Sequence, residues 1–367
     1  MNKFITPEQV RSNPNEYSDI LSKILLTCYG EDYPGVSIEQ QSNIQGIVNH
    51  YQQTCFWAIT EEDWEGKELG TSSMIKAKEE FGEGFAEMGK SGSIGSNGSK
   101  NGYREFINLW ESNPEYLTQF DSLVTTVRNC PERLGKEHVV KSGTGIRVIF
   151  LKYLHFQQWG IAPWYLMPDE SDGSYEVLDL LFKYREEEEV KKFIQENELY
   201  IASEGGKEIL DQFMKFNLNI SPKYAESENE NNADLGLKKN WKILSSSHKT
   251  DKNPVKMVCD PSQGGEGDSF PDKFQELTSI EGAMHSIYLP LDEDTRALQQ
   301  FLEEKGWILT GFVPSKICFK GMWSKLNRTD RPMIRPAYLD APDELSPDWY
   351  KQFVSSTINK LSNPQLS

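Results

Sequence analysis

The chain has 367 residues, a formal net charge of −17 from 39 Lys and Arg against 56 Asp and Glu, and 37% hydrophobic residues. That length exceeds what one hydrophobic core usually serves, and the apolar content is that of a folded protein, so two globular units are expected. The charge excludes a nucleic-acid binder, which needs a basic face to displace counterions, and disfavours an anionic membrane surface.

In chain order, residues 15–29 place Ile20, Ile24, Leu25 and Cys28 on one helical face, and Ile38 to Tyr51 does the same through Ile44, Ile47, Val48 and Tyr51. TCFWAIT and ELGTSSMIKA read as a pair of strands. Phe85 to Met88 reads as a third, inside a stretch carrying Gly82, Gly84, Gly89, Gly92, Gly95, Gly98 and Gly102. A helix begins near Arg104 with Phe106, Ile107 and Trp110 on one side, and SLVTTVR follows as a β-branched strand. Residues 145–158 read as an amphipathic helix stopped at Trp159 and Gly160, where a left-handed glycine would suit its C-terminus. IAPWYLMP and YEVLDLLFKY are two further strands. The run Glu186 to Glu189 reads as a solvated helix start, where acidic side chains favour the dipole, and a second helix lies near Ile209 to Phe216.

The polar segment SPKYAESENENNADLG lacks core residues and reads as a linker. The expected organisation is therefore a unit over 1–220, a linker over 221–240, a second unit over 241–340 and a C-terminal helix or tail over 341–367. In the second unit NWKILSSS, PVKMVCD and MHSIYLPLD read as strands, Phe274 to Ile280 and Asp294 to Lys305 as helices, and WILTGFVP with CFKGMWSKL as a hairpin. RTDRPMIRPAYLDAP reads as an extended wrap. Both halves run strand, helix, Gly beside Trp, strand, turn, strand, which points to an internal repeat.

The chemistry-bearing residues are sparse. Cys28, Cys55, Cys130, Cys259 and Cys318 are odd in number and form no CxxC pair, and the five histidines form no HxxH pair, so neither a disulfide framework nor a metal site is expected. No GxSxG elbow or Walker string occurs. The start lacks a basic region followed by an apolar run, and no stretch nears the ~20 apolar residues that span a bilayer. A cytoplasmic location is expected.

The element order, with EKGWILTGFVPS and QQWGIAPWYL as helix-to-hairpin corners, resembles the Gcn5-related N-acetyltransferase (GNAT) fold. The fold class expected is α+β, a mixed central sheet flanked by helices, GNAT-like and duplicated. The resemblance implies acyl transfer from acetyl-CoA, a longer acyl-CoA or an acyl-carrier thioester to a small-molecule or peptide amine. It implies that pyrophosphate lies on backbone amides of the turn Gly95, Ser96, Asn97, Gly98, Ser99, Lys100, Asn101 and Gly102. Glycines let a backbone approach phosphate, and the first amides of the next helix carry partial positive charge. The family's Arg or Gln, two residues, Gly, one residue, Gly or Ala string is absent from this turn, and from the alternative KSGTGIR. The resemblance also implies Glu87 as general base and Tyr153 or His155 as the acid, with Trp159, Trp164 and Tyr165 as candidate pocket residues. A non-catalytic binding or scaffold protein on a degenerate form of the same fold is the alternative.

Overall fold

The computed structural model describes residues 2–15, 55–61, 69–75, 80–94, 98–112, 117–128, 147–166, 174–225, 237–244, 255–260, 267–280, 284–327, 333, 335–339 and 345–363. The helices expected over 15–29 and 38–51, and most of the polar linker, fall outside them.

The first half runs β1 (Asn2–Ile5), α1 (Pro7–Ser12), β2 (Cys55–Glu61), β3 (Leu69–Ile75), β4 (Phe85–Ile94), α2 (Gly98–Glu111), β5 (Ser122–Arg128), a π-helical turn (Ile149–Tyr153), β6 (Gln157–Leu166) and β7 (Ser174–Tyr184). Next come α3 (Glu187–Glu196), β8 (Glu198–Leu199), α4 (Glu204–Asn217) and β9 (Lys223–Tyr224), with β8 and β9 forming a separate two-stranded sheet. The second half runs β10 (Lys238–Leu244), β11 (Val255–Asp260), β12 (Asp268–Ser269), α5 (Phe270–Ser279), β13 (Met284–Pro290), α6 (Arg296–Glu304), β14 (Ile308–Val313), β15 (Lys320–Leu326) and α7 (Asp348–Ser362).

Thirteen strands form one sheet, in the order β1-β2-β3-β4-β5-β7-β6-β14-β15-β13-β11-β10-β12. Among the described strands of this sheet, β4 with β5 and β11 with β13 are the parallel pairs. This is the α+β, GNAT-like architecture that the element order implies. The same pairing sequence recurs in the second half: an antiparallel neighbour, a parallel step across a helix, then an antiparallel hairpin.

The halves meet at two glycines. Gly160 of β6 pairs with Gly311 of β14, and a register shift interrupts each hairpin at that point. A Cβ on Gly160 would lie 2.3 Å from the Gly311 Cα, so only glycine permits the crossing. Helices fill the space around it. Phe213 of α4 packs on Trp159 and Phe312, while Tyr350 of α7 donates to the Gly160 carbonyl at 3.2 Å.

A buried polar knot ties α7 to the first half. Asp179 of β7 accepts from Arg147 Nε at 2.7 Å and from the hydroxyls of Tyr338 and Tyr350 at 2.8 and 2.9 Å. Arg147 also donates to Gln158 Oε1 and the Leu345 carbonyl. Burial, reinforced by the Asp179 charge, pushes both tyrosine pKa values well up, so both remain donors. The carboxylate, guanidinium and hydroxyls thus satisfy one another where water cannot.

Several expectations are corrected. The helix expected over 145–158 is described only from Arg147 to Tyr153, because Gln157 onward pairs with β7. Gly160 therefore stops no helix. His155, at φ 55°, takes the left-handed position instead, and the Phe156 amide bonds back to the Phe150 carbonyl. Its match in the second half is Gly306, at φ 74°, after α6, so the two halves align five residues away from the Gly-beside-Trp match. The helix expected from Arg104 begins at Gly98. Within the expected linker, Lys223–Tyr224 is a strand and β10 begins at Lys238. The C-terminal wrap contains a 3-10 turn, Ala337–Leu339.

Candidate active site

The parallel strands β4 and β5 pair only at Phe85, Ala86 and Glu87 with Ser122, Leu123 and Val124. β4 then continues to Ile94 and β5 to Arg128 with no further pairing between them, so a V opens in the middle of the sheet. Its cause lies on the other edge of β4. Against β3, Thr71 pairs with Gly92 but Ser73 with Gly89, so β4 carries one extra residue there. A bulge of this kind bends the strand that holds it, and Gly89 and Gly92 flank it.

The two faces of β4 differ. Ala86 and Met88 are buried with Tyr103, Phe106, Ile107 and Trp110 of α2, with Phe150 of the π-helical turn and with Leu154 just after it. Phe85 points to the opposite face, with Val124 and Phe182. Glu87, alternating with Met88, shares the Phe85 face and is half-buried. A Cβ on Gly89 would lie 3.9 Å from Glu87 Oε1, so the carboxylate runs toward the open end of the V.

At that end three residues separate β4 from α2. Gly98, Ser99, Lys100, Asn101 and Gly102 form the first helical residues rather than a turn, while Gly95, Ser96 and Asn97 lie outside the described residues. The first amides of a helix have no intrahelical acceptor, and α2 has no acidic residue in its first turn to compete for an anion. The far end of α2 is held firmly. Trp110 Nε1 donates to the Phe120 carbonyl at 2.8 Å, and Arg185 lies over the Trp110 ring and donates to its carbonyl.

Tyr153 is 44% exposed and ends the π-helical turn, on the α2 side of the sheet. His155 is exposed beside it, in the left-handed conformation that ends the turn. The structure therefore places Glu87 on one face of the sheet and both acid candidates on the other. Trp159 is fully buried at the crossing, which makes it a packing residue. Trp164 and Tyr165 lie on β6, and Lys141 to Ile146 fall outside the described residues.

Register identifies the counterpart of Glu87. Equating Gly160 with Gly311 equates their partners Leu180 and Met322, then Thr126 and Tyr288. Two residues back, Val124 matches Ser286, and their parallel partners are Glu87 and Lys256. The second half thus carries a lysine at the position of the candidate base. Its β10–β11 pairing has no bulge, and β11 stays paired with β13 over four residues. Lys256 is ion-paired with Glu80, which lies just before β4.

The Arg147–Asp179 knot and Lys256 were not anticipated from sequence. Each had a faint signal, a lone charge inside an apolar strand (VLDLL and VKMVC). Among the described residues no three His, Cys, Asp or Glu side chains converge as a metal site requires, and no helix is long and apolar enough to cross a membrane.

No protein-family model matches the chain, and no curated protein does. Solved structures resemble half of it. Aminoglycoside 6'-acetyltransferase type Ii aligns at 13% identity and a TM-score of 0.34, over 50% of this chain and 97% of its own. Ribosomal-protein-alanine N-acetyltransferase from Brucella melitensis aligns at 14% and 0.28, over 50% and 99%. An N-acetyltransferase from Staphylococcus aureus Mu50 aligns at 12% and 0.29, over 50% and 98%. At such TM-scores the likeness adds nothing to the fold, which rests on strand order and pairing.

Proposed function

We propose that this protein is an N-acyltransferase, with one working site in its first half, that moves an acyl group from a CoA or carrier-protein thioester to an amine. The V between β4 and β5 carries this reading. It is a gap between two strand edges, bounded by a carboxylate on one face and by a helix N-terminus at its mouth.

The V would take the pantetheine arm as an extended segment, and the amides of α2 would hold the pyrophosphate with Lys100 nearby. Glu87 would take the proton of the acceptor amine as its nitrogen attacks the thioester carbonyl. The departing thiolate would collect a proton from the opposite face, where Tyr153 is the candidate and His155 the less suited one, since its backbone serves the end of the turn. In this reading residues 1–220 are the catalytic unit and 241–340 a second unit that keeps the architecture without the chemistry. Lys256 at the base position and the unbroken β10–β11 ladder support that assignment. The reducing cytoplasm suits the buried free thiol of Cys259.

A purely binding role is the second reading, favoured by the missing Arg or Gln fingerprint. Thermal-shift titration with CoA, acetyl-CoA and a long-chain acyl-CoA tests the first. A ligand that binds only the folded state stabilises it by ~2.7 kcal/mol at a hundredfold excess over its dissociation constant. A saturable rise, largest for one acyl length, is expected. No rise with any of the three removes CoA as the donor.

A further inference from the structure

The V depends on residues from the other half of the chain. Glu80 is only 4% exposed, and its carboxylate is ion-paired with Lys256 of β11. A carboxylate so buried is costly to keep charged, and the Lys256 ammonium offsets that cost. Glu80 opens the turn that delivers β4, and that turn passes through two left-handed glycines, Gly82 at φ 109° and Gly84 at φ 81°. Just before them is Phe81, whose ring packs on Phe85 and Phe182 of the first half and on Tyr288 of β13. The Gly84 carbonyl accepts from the amides of Asp121 and Ser122 at 3.0 and 3.1 Å, which ties the start of β4 to the start of β5. A second cation from the far half, Lys316, reaches the Asp121 carboxylate at 2.8 Å. Both arms of the V are therefore gripped at their closed end by lysines of the second half.

We propose that the second half serves as a clamp for the catalytic strand, with Lys256 as a positioning residue for Glu87 acting through Glu80. This deepens the acyl-transfer reading and rests on it. It also accounts for the register. The second half has a lysine where the first has its base, and that lysine reaches across to hold the first half's strand. Glu87 lies seven residues after Glu80, near the start of a strand that leaves β5 after three pairs. Its carboxylate therefore inherits the placement of the strand's start, with no β5 partner beyond Val124 to correct it. Sub-ångström placement of a base controls the chemical step far more than it controls cofactor affinity.

The test compares the full-length wild-type protein with Lys256→Met, Lys256→Arg and, as a surface control, Lys273→Met, all at a temperature where circular dichroism shows each folded. Lys256→Met is expected to speed amide exchange across Phe85 to Met88 at least tenfold. It should lower kcat for acyl transfer at least tenfold and leave the CoA dissociation constant within twofold. Lys256→Arg should restore most of both, and Lys273→Met should change neither. A Lys256→Met protein with wild-type β4 exchange overturns the clamp, and so does one with wild-type kcat. If the wild-type protein neither binds CoA nor transfers acyl groups, the acyl-transfer reading falls by itself. The exchange data then decide the clamp alone, with faster exchange in Lys256→Met upholding it and unchanged exchange rejecting it.

Discussion

The same pairing pattern is built twice along this chain, yet among the described residues only the first copy bends its splayed strand with a bulge. In the first half an extra residue in β4 bends the strand away from β5 after three pairs. In the second half β10 and β11 pair without interruption from Asn240 to Leu244, and β11 holds β13 over four residues. A single inserted residue, accommodated by Gly89 and Gly92, thus separates the two copies, bending β4 where β11 runs unbulged. The charge at the matching register position differs as well, with Glu87 in the first copy and Lys256 in the second.

The most severe way to break this comparison is to remove the carboxylate. Glu87→Gln keeps the shape of the side chain and loses its basicity. Turnover should fall by ~10²–10⁴-fold, the usual worth of a placed general base, with CoA affinity unchanged in a thermal-shift titration. Unaltered turnover would leave the two halves chemically equivalent and would remove Glu87 from the mechanism.

The crossing offers a finer test, since Gly160 and Gly311 occupy matching positions but not matching conformations. Gly160 has φ 143°, and its Cβ would meet Gly311 Cα at 2.3 Å and the Thr310 carbonyl at 2.6 Å. A Cβ on Gly311 would meet the Trp159 carbonyl at 2.9 Å, without a left-handed φ. Gly311→Ala should therefore cost about 1–3 kcal/mol, the range for overpacking, and Gly160→Ala should cost more, because backbone strain adds to the clash. Urea midpoints of the two variants give the order directly, and equal shifts would mean that the crossing is symmetric.

Local patterns carried the strands of both halves and the repeat itself. TCFWAIT, SLVTTVR, MHSIYLPLD and the paired hairpins are β-rich runs whose propensity and tertiary role agree. Features set by register were hidden. The bulge at Gly89 and Gly92 shows only once β3 is placed beside them, and the lone Lys in VKMVC means little until it is aligned with Glu87. The segment 147–160 misled for a different reason. Its apolar spacing suits a helix, but Gln157 and Gln158 are claimed by Phe182 and Leu181 of β7, so the helix must end early, at a left-handed histidine. Conversely, Gly98 to Gly102 are poor helix formers, and they are helical because Tyr103, Phe106, Ile107 and Trp110 fix the rest of α2 in the core. The position of Glu87 was legible from sequence, whereas the face it occupies, opposite Tyr153, was not.

The smallest expected effect separates the halves by pH. His285 of β13 aligns with Leu123 of β5, so the second half has a titratable ring where the first has an aliphatic side chain. The His285 ring stacks on Trp307 and bonds to the Ile280 carbonyl at 3.0 Å. Burial lowers its pKa below 6.5, with the Lys325 charge adding to the effect and the Ile280 bond opposing it. A lowered folded pKa means that below about pH 6.5 the unfolded chain binds a proton that the folded chain resists. The stabilising contribution is complete above pH 6.5 and is lost as the pH falls toward the folded pKa, at a slope of at most ~1.4 kcal/mol per pH unit. Urea midpoints at pH 7.5 and 5.0 should drop further for the wild-type protein than for His285→Gln, which cannot titrate. Equal drops would show that the ring charges as readily in the fold as in water, and that this position contributes nothing to the difference between the two halves.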